Sequence, residues 1–246
     1  MSDLLTAEFL KLRTTRTMWA LLAATVAVSA LAVASAVVVG ADSSSIDLET
    51  ARGVRSVVNV AANGAIFVLV LGIIVSAGEY RQRTATDTFL TTPRRWRVIA
   101  AKLAVASVAG IVFGALSSGV SMAVAAQAYR IEGFAFPFDS SDAWLTLGGV
   151  VLYAALFGAM GAATGSLVRN QVVAIVGWLV WLAVVEHLMV GLLPNVGRWL
   201  PAAAGQALVR APSDDLLSQP VAALVLGAYA IAIVSLAVFS ERFRDV

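Results

Sequence analysis

The chain of 246 residues is 60% hydrophobic and 13% charged, with a mean hydropathy of +0.88. Soluble domains carry about 25% charged residues, so this composition excludes a soluble globular protein and indicates an integral membrane protein. The absence of cysteine excludes disulfides, thiolate metal sites and cysteine nucleophiles, and the net charge of +2 gives no reason to expect a nucleic-acid partner.

The N-terminal segment 1–18 has the pattern of a helix that lies on a membrane surface. Apolar side chains recur at i, i+4 and i+7, and charged side chains take other faces. The residues concerned are Leu5, Phe9 and Leu12 on the apolar face, with Glu8 and Lys11 on the others. Two interpretations stay open: a basic anchor that only fixes topology, and a connecting helix that transmits motion from a cytoplasmic partner to the first span.

Six apolar runs follow, each near the roughly 20 residues that a helix needs to cross the hydrocarbon core. They are 19–41, 57–77, 98–126, 144–168, 172–190 and 220–240. Because lipid offers backbone groups no hydrogen-bond partners, these runs are predicted to be helices. The first run is longer than the apolar core of a signal peptide, about 7–15 residues, so we expect an uncleaved first span.

Lysine and arginine are unevenly divided between the two sides of this arrangement. Twelve lie at the termini and in the connections on the same side as the termini, and five lie on the other side. The five are Arg52, Arg55, Arg130, Arg198 and Arg210. The positive-inside rule therefore predicts cytoplasmic termini and a cytoplasmic connection between the second and third spans.

Small residues recur at four-residue spacing inside several spans, which is typical of closely packed membrane helices. The pairs are Gly110 with Gly114, Gly158 with Ala162, and Gly161 with Gly165. The alternative is that these residues simply face lipid, because glycine and alanine are abundant throughout the chain.

The connection GEYRQRTATDTFLTTPRRWRVIAAKL, residues 78–103, divides into two parts. From Thr92 onward it resembles a helix start, with Thr92 as the cap and Pro93 at the first helical position. The arginines that follow, Arg94, Arg95 and Arg97, are expected near lipid phosphates, with Trp96 dipping inward. This half is predicted to be the anchored start of the third span.

The other half of this connection, 79–90, is predicted to be a short helix that binds a partner. Glu79 and Arg83 stand at i, i+4 and support a helix. Phe89 and Leu90 would be exposed on it and require a pocket. Folding back onto the bilayer is the alternative.

Polar residues near the outer ends of the spans are candidates for a translocation path. Asn59 and Asn63, one turn apart, either line such a path or bond between helices, the commoner role. Glu186 and His187 are adjacent ionisable residues. We expect Glu186 and His187 at the outer interface rather than in a proton relay or a substrate gate, and no HExxH zinc motif occurs.

Four short motifs stand at the predicted cytoplasmic ends of the first three spans. They are AEFLKLR at 7–13, GEYR at 78–81, TPRR at 92–95 and AKL at 101–103. In this combination the chain resembles the permease subunits of ABC-type-2 exporters, and in particular the small six-span permeases of actinobacterial drug- and peptide-export systems.

The resemblance implies a protein of the bacterial inner (plasma) membrane that pairs with a second copy or a homologous permease and docks separate ATP-binding-cassette ATPase subunits. ATP and Mg are expected in those partners, because this chain has no GxxxxGK[ST] sequence. The implied coupling helix, which enters the ATPase, carries Glu79, Tyr80, Arg81, Arg83, Asp87, Phe89 and Leu90. The implied connecting helix carries Leu5, Glu8, Phe9, Lys11 and Leu12.

The resemblance also implies a re-entrant element before the last span and a translocation path at the dimer axis. The segment 192–219, broken by proline and glycine, is the matching place for the re-entrant element. The path would be lined by the second and fifth spans, and its candidates are Asn59, Asn63, Phe67, Trp178, Trp181 and Glu186. Aromatic residues in a span are, however, more often packing or lipid contacts.

The prediction is thus an all-α polytopic membrane protein: six transmembrane helices with an N-terminal amphipathic helix, a cytoplasmic coupling helix and a re-entrant element. Its expected function is the non-enzymatic export, driven by partner ATPases, of a hydrophobic or amphipathic compound (a drug, peptide or lipid). The alternative is the six-span substrate-binding module of a vitamin-type importer. An intramembrane enzyme is disfavoured because the sequence has no catalytic constellation.

Overall fold

The computed structural model describes residues 2–43, 48, 50–81, 95–213 and 215–243. Every regular element in these ranges is a helix. The helices are α1 (Ser2–Thr14), α2 (Arg16–Ser43), α3 (Ala51–Val58), α4 (Ala65–Arg81), α5 (Arg95–Ile131), α6 (Ser141–Val168), α7 (Gln171–Val180), α8 (Glu186–Leu192), α9 (Pro194–Gly197), α10 (Pro201–Leu208) and α11 (Gln219–Phe243). A 3-10 turn, Asn59–Gly64, joins α3 to α4, and a π-helical segment, Trp181–Val185, joins α7 to α8.

Six helical stretches are long and apolar enough to cross a membrane, which confirms the prediction of an all-helical protein with six such helices over the described ranges. They are Arg16–Gly40, Ala51–Gly78, Trp96–Ile131, Ser141–Val168, Gln171–Leu192 and Gln219–Ser240. The second stretch begins six residues before the predicted 57–77 run. The reason is that α3 already begins at Ala51 and contains Arg52 and Arg55, two charged residues that a search for apolar runs leaves out.

Helix α6 is central to the bundle because its glycines let neighbouring backbones touch it. A Cβ atom added at Gly161 or Gly165 would meet the backbone of α4, and one added at Gly158 would meet the backbone of α5 at Ala106. Conversely, a Cβ atom at Gly110 of α5 would meet the backbone of α6. The close packing predicted from the small-residue spacing is therefore confirmed, with α6 as the common partner.

The 3-10 turn in the second span is held by two buried serines from other spans. The hydroxyl of Ser29 on α2 donates to the carbonyl oxygen of Ala61 at 3.1 Å. The hydroxyl oxygen of Ser117 on α5 lies 2.7 Å from Ser29 Oγ and 3.0 Å from the same carbonyl oxygen. A 3-10 turn breaks the regular ladder of backbone bonds, and these serines supply its carbonyl with donors that lipid lacks.

The connection between the last two spans folds into the short helices α9 and α10. Each begins with a proline in its first turn, where the missing N–H group costs no helical hydrogen bond. Helix α10 is buried among the spans: Ala204 and Leu208 belong to the same apolar cluster as Phe157 of α6 and Leu226 of α11. This arrangement closes one end of the bundle, which we call the α10 end. The other end, where α1 lies, is the α1 end.

Candidate docking and translocation sites

Helix α1 is fastened to the start of α5 by a buried ion pair. Glu8 is only 2% exposed, and its Oε2 lies 3.2 Å from Nζ of Lys102, which is 4% exposed. Its other oxygen, Oε1, accepts a hydrogen bond from Lys11 Nζ at 2.8 Å. Leu12 is also buried and packs in one cluster with Val105 of α5. A buried carboxylate needs such partners, so the ion pair fixes the position of α1 on α5.

The buried face of α1 differs from the predicted one. Leu5, Glu8 and Leu12 face the bundle, whereas Phe9 is 48% exposed. The prediction that Glu8 takes a different face from Leu5 and Leu12 is therefore wrong. The reason for the difference is Lys102, which lies 94 residues away in the chain. Its charge makes the burial of Glu8 favourable, and with Glu8 facing the bundle Phe9 faces outward.

The predicted coupling helix lies mostly outside the described residues. The backbone of Glu79, Tyr80 and Arg81 forms the last turn of α4. The other candidates, Arg83, Asp87, Phe89 and Leu90, fall outside the described ranges, and their role stays a prediction. On the far side of this connection α5 is described from Arg95, and Lys102 lies about 10 Å further along the helix axis. The attachment of α1 is thus close to the connection.

Two adjoining cavities lie at the α10 end between the second span, α6, the fifth span and α10. The first has a volume of about 310 Å³, and Asn59 and Asn63 line it together with Tyr153 and Phe157. The second has a volume of about 480 Å³, and Glu186, His187, Arg198 and Asp215 are among its lining residues. Leu182, Ala202 and Gln206 line both cavities. Three of the predicted path residues, Asn59, Asn63 and Glu186, are therefore brought into one region.

Glu186 links the fifth span to α10. Its Oε1 accepts a hydrogen bond from Trp181 Nε1 at 2.7 Å, and its Oε2 accepts one from the backbone N–H of Ala202 at 2.6 Å. Ala202 is the second residue of α10, so the carboxylate sits where the helix dipole and an unpaired backbone N–H favour an anion. The π-helical segment precedes Glu186 directly, and its extra residue per turn sets the side chain's direction.

The structure separates Glu186 from His187, and their predicted place at the outer interface stays a prediction. Glu186 is 2% exposed, although the neighbouring His187 is exposed. Successive helical residues point about 100° apart, which explains why one faces α10 and the other does not. The sequence contains no clear sign of the partner, because Ala202 contributes only its backbone.

The predicted aromatic contacts do not line either cavity. Trp178 packs against Phe157 with ring centroids 6.2 Å apart, and its Nε1 donates to Thr164 Oγ1 at 3.1 Å. Trp181 is the donor to Glu186, and Phe67 is partly buried. Their contact with substrate stays a prediction.

Sequence reasoning missed Tyr153, Leu182 and Gln206 as cavity residues. Gln206 is the one polar side chain in the α10 sequence PAAAGQAL, a signal that a search for isolated polar residues would have found.

A family model described as "ABC-2 family transporter protein" matches residues 4–185 of the chain. The matched range, well over half of the chain, includes α1, the first four spans and the fifth span through the π-helical segment. No curated protein matches the chain.

Proposed function

The chain belongs to the ABC-2 family of transporter proteins, and we propose that it is the permease subunit of an exporter driven by separate ATP-binding-cassette ATPase subunits. The observation that carries this proposal is the family match over residues 4–185, on a chain with six helices fit to span a membrane. ATP and Mg belong to the partner subunits in this proposal. The match does not favour the vitamin-importer alternative.

The proposed orientation puts the α1 end in the cytoplasm. It rests on the distribution of lysine and arginine, twelve on that side against five on the other. With this orientation the connection 79–94 faces the ATPase, and α10 belongs to the extracytoplasmic end as the proposed re-entrant element. The protein is then a multi-pass protein of the bacterial inner membrane.

The proposed route of coupling runs from the connection 79–90 into α5 and on to α1. In this scheme Phe89 and Leu90 occupy a groove of the ATPase, and any displacement of the connection moves the first turns of α5. The buried pair of Glu8 and Lys102 would carry that displacement to α1. A single residue, Thr15, separates α1 from the first span, so the two helices are tightly joined.

The proposed substrate is hydrophobic or amphipathic, and it leaves through a path that includes the two adjoining cavities. The first cavity is lined mostly by apolar and aromatic side chains, whereas half of the residues that line the second are polar, among them Glu186, Arg198 and Asp215. Apolar surface beside polar surface suits an amphipathic compound. A pair of permeases, two copies or one copy with a homologue, would complete the path at their shared axis.

The test is association with an ATPase encoded beside this chain. The variant Phe89→Asp with Leu90→Asp should lose the ATPase in an affinity pull-down from mild detergent, because two charges would enter an apolar groove. The matched control, Ser44→Asp with Ser45→Asp, adds the same charge on the other predicted side and should retain the ATPase. Arg94→Ala should retain it as well. Capture of the ATPase by the Phe89/Leu90 variant, at the level of the control, would overturn the docking assignment.

A further inference from the structure

Three of the five arginines assigned to the α10 end converge on one cavity. The cavity has a volume of about 480 Å³ and lies between α3, the C-terminal turn of α10 and the start of α11. Arg52, Arg55 and Arg210 line it, with Ser213 and Ser218 on the remaining wall. Among the described residues that line it, none is acidic. A cavity lined by several guanidinium groups is suited to an anionic ligand.

The nearby carboxylate of Asp142 balances only part of the charge of Arg55 and Arg210. Oδ1 of Asp142, in the first turn of α6, lies 2.5 Å from an Nη of Arg210 and 3.8 Å from an Nη of Arg55. One aspartate therefore faces two guanidinium groups, those of Arg55 and Arg210. In addition, Nε of Arg55 and Nη1 of Arg210 are buried and have no hydrogen-bond partner. Buried donors without an acceptor are costly, and guanidinium donors fit a phosphate closely.

The arginines are held by well-defined local structure. The Thr50 hydroxyl accepts the Gly53 N–H at 3.1 Å and so caps α3, which places Arg52 and Arg55 three residues apart on one side of the helix. Arg210 follows α10 in the left-handed region, with φ of 55°. A residue other than glycine is uncommon there and is kept only where its surroundings fix it. The charged cavity is therefore built before a ligand arrives.

An apolar groove lies beside this cavity, between α6 and α11. It has a volume of about 330 Å³, and its lining includes Trp144, Gly148, Leu152 and Ala223. Gln219 lines both spaces, and its Nε2 donates to the carbonyl oxygens of Leu145 at 3.0 Å and Leu208 at 2.9 Å. Gln219 thus stands at the border between the arginine cavity and the groove.

The length of the groove matches one leaflet of a bilayer. From Trp144 to Leu152 the helix rises about 12 Å, and half of the hydrocarbon core is about 15 Å. Trp144, two residues after Asp142, is half-exposed, and tryptophan favours the level of the headgroups. The protein thus offers positive charge at the headgroup level and apolar surface below it, which complement the two parts of an anionic amphipathic ligand.

We propose that the arginine cavity and the groove together bind an anionic phospholipid, with the phosphate at Arg55 and Arg210 and one acyl chain against α6 and α11. A free phosphate ion would use the cavity but not the groove, and the apolar groove beside the cavity favours the lipid. The arginine cavity also adjoins the proposed transport path, because it shares Ala211 with the first path cavity and Ser213 and Leu216 with the second. Lipid binding there needs no ATPase.

The test compares lipids on the purified full chain by native mass spectrometry. Delipidated protein is titrated with phosphatidylglycerol and with phosphatidylcholine of the same acyl chains. The wild type should bind phosphatidylglycerol about tenfold more tightly, and Arg55→Gln with Arg210→Gln should remove that preference. Arg130→Gln removes an arginine that does not line the cavity and should keep it. Equal affinity of the wild type for both lipids would overturn the proposal.

A second variant separates the lipid from a free anion and covers the case in which the double arginine variant does not fold. A Cβ atom at Gly148 has no neighbour within 4 Å, so Gly148→Leu fills the groove without a backbone clash. It should weaken phosphatidylglycerol binding while leaving the arginines in place. Unchanged lipid affinity in Gly148→Leu, together with full competition by inorganic phosphate, would show a site for a free anion and overturn the lipid assignment.

Discussion

Glu8 and Lys102 form a buried ion pair between α1 and the third span, with Oε2 and Nζ 3.2 Å apart. The pair crosses from the N-terminal helix to the helix that follows the proposed ATPase-binding connection. Because the pair is buried, its contribution to stability can be measured. Removing one partner of a buried pair leaves an uncompensated buried charge, which destabilises a protein far more than the loss of an ion pair at the surface.

Glu8→Gln should lower the free energy of unfolding by about 2–4 kcal/mol, since Lys102 keeps its charge in a buried place without the carboxylate. Thermal unfolding of the detergent-solubilised protein measures this. The double variant Glu8→Leu with Lys102→Met removes both charges and should recover most of the loss. Phe9→Ala, on the exposed side of the same helix, is the control and should change stability little. A loss in Phe9→Ala equal to that in Glu8→Gln would contradict the described face of α1.

Glu186→Leu should destabilise the α10 end by about 2–4 kcal/mol, because two donors, Trp181 Nε1 and the Ala202 N–H, lose their acceptor. Glu186→Gln keeps an acceptor oxygen and should cost less. The measurement is thermal unfolding, with limited proteolysis of the connection between the last two spans as a local readout. His187→Leu alters an exposed neighbour and should behave as wild type; an equal effect of both leucine variants would argue against the capping role.

Gly161→Ala should reduce stability by about 1–3 kcal/mol or block folding, because the added methyl group would meet the backbone of Leu69. Gly227→Ala is the matched control in another span, where a Cβ atom has open space. The yield of monodisperse protein and its unfolding temperature give the comparison. If Gly161→Ala were as stable as Gly227→Ala, α4 and α6 would not be in backbone contact.

Ser29→Ala and Ser117→Ala should each cost about 0.5–1.5 kcal/mol, the usual range for hydrogen bonds between membrane helices. Because both hydroxyls meet at the Ala61 carbonyl, the double variant should lose less than the sum of the single losses. A double-mutant cycle by thermal unfolding tests this. Ser35→Ala, whose hydroxyl bonds only within its own helix at Ala32, is the control. Strict additivity would indicate that the two serines act separately.

Leu182→Trp should reduce transport about tenfold or more, because Leu182 lines both cavities of the proposed path and a larger ring would fill them. Leu179→Trp adds the same ring to the exposed side of the same span and should be tolerated. The assay is efflux from cells that express the chain with its ATPase, with a pull-down to show that the ATPase is still bound. Normal efflux in Leu182→Trp would remove these cavities from the path.

The parts of the fold that depend on local composition could be predicted from the sequence. Apolar length alone gives six helices, and glycine spacing gives the close contacts around α6. The parts that depend on distant partners could not. Glu8 was predicted to lie on a different face from Leu5 and Leu12, because nothing near it in the chain identifies Lys102 as its partner.

Three of the path candidates were predicted as polar residues that interrupt an apolar run. Asn59, Asn63 and Glu186 were found in this way, and they do lie around two adjoining cavities. The aromatic candidates were drawn from a resemblance, and Trp178 instead packs on Phe157. The spacing of residues along a span cannot distinguish substrate contact from packing inside the bundle, because an aromatic side chain suits either role.

The glycine contacts of α6 bear on how such a protein changes shape. Where backbones touch, no layer of flexible side chains remains to absorb sliding, and a shift of even a small distance produces a clash. We therefore expect α4, α6 and the part of α5 from Ala106 onward to move together as one rigid unit. Conformational change would then involve the elements around this unit: the first turns of α5, α1 with α2, the two-part fifth span, and α11.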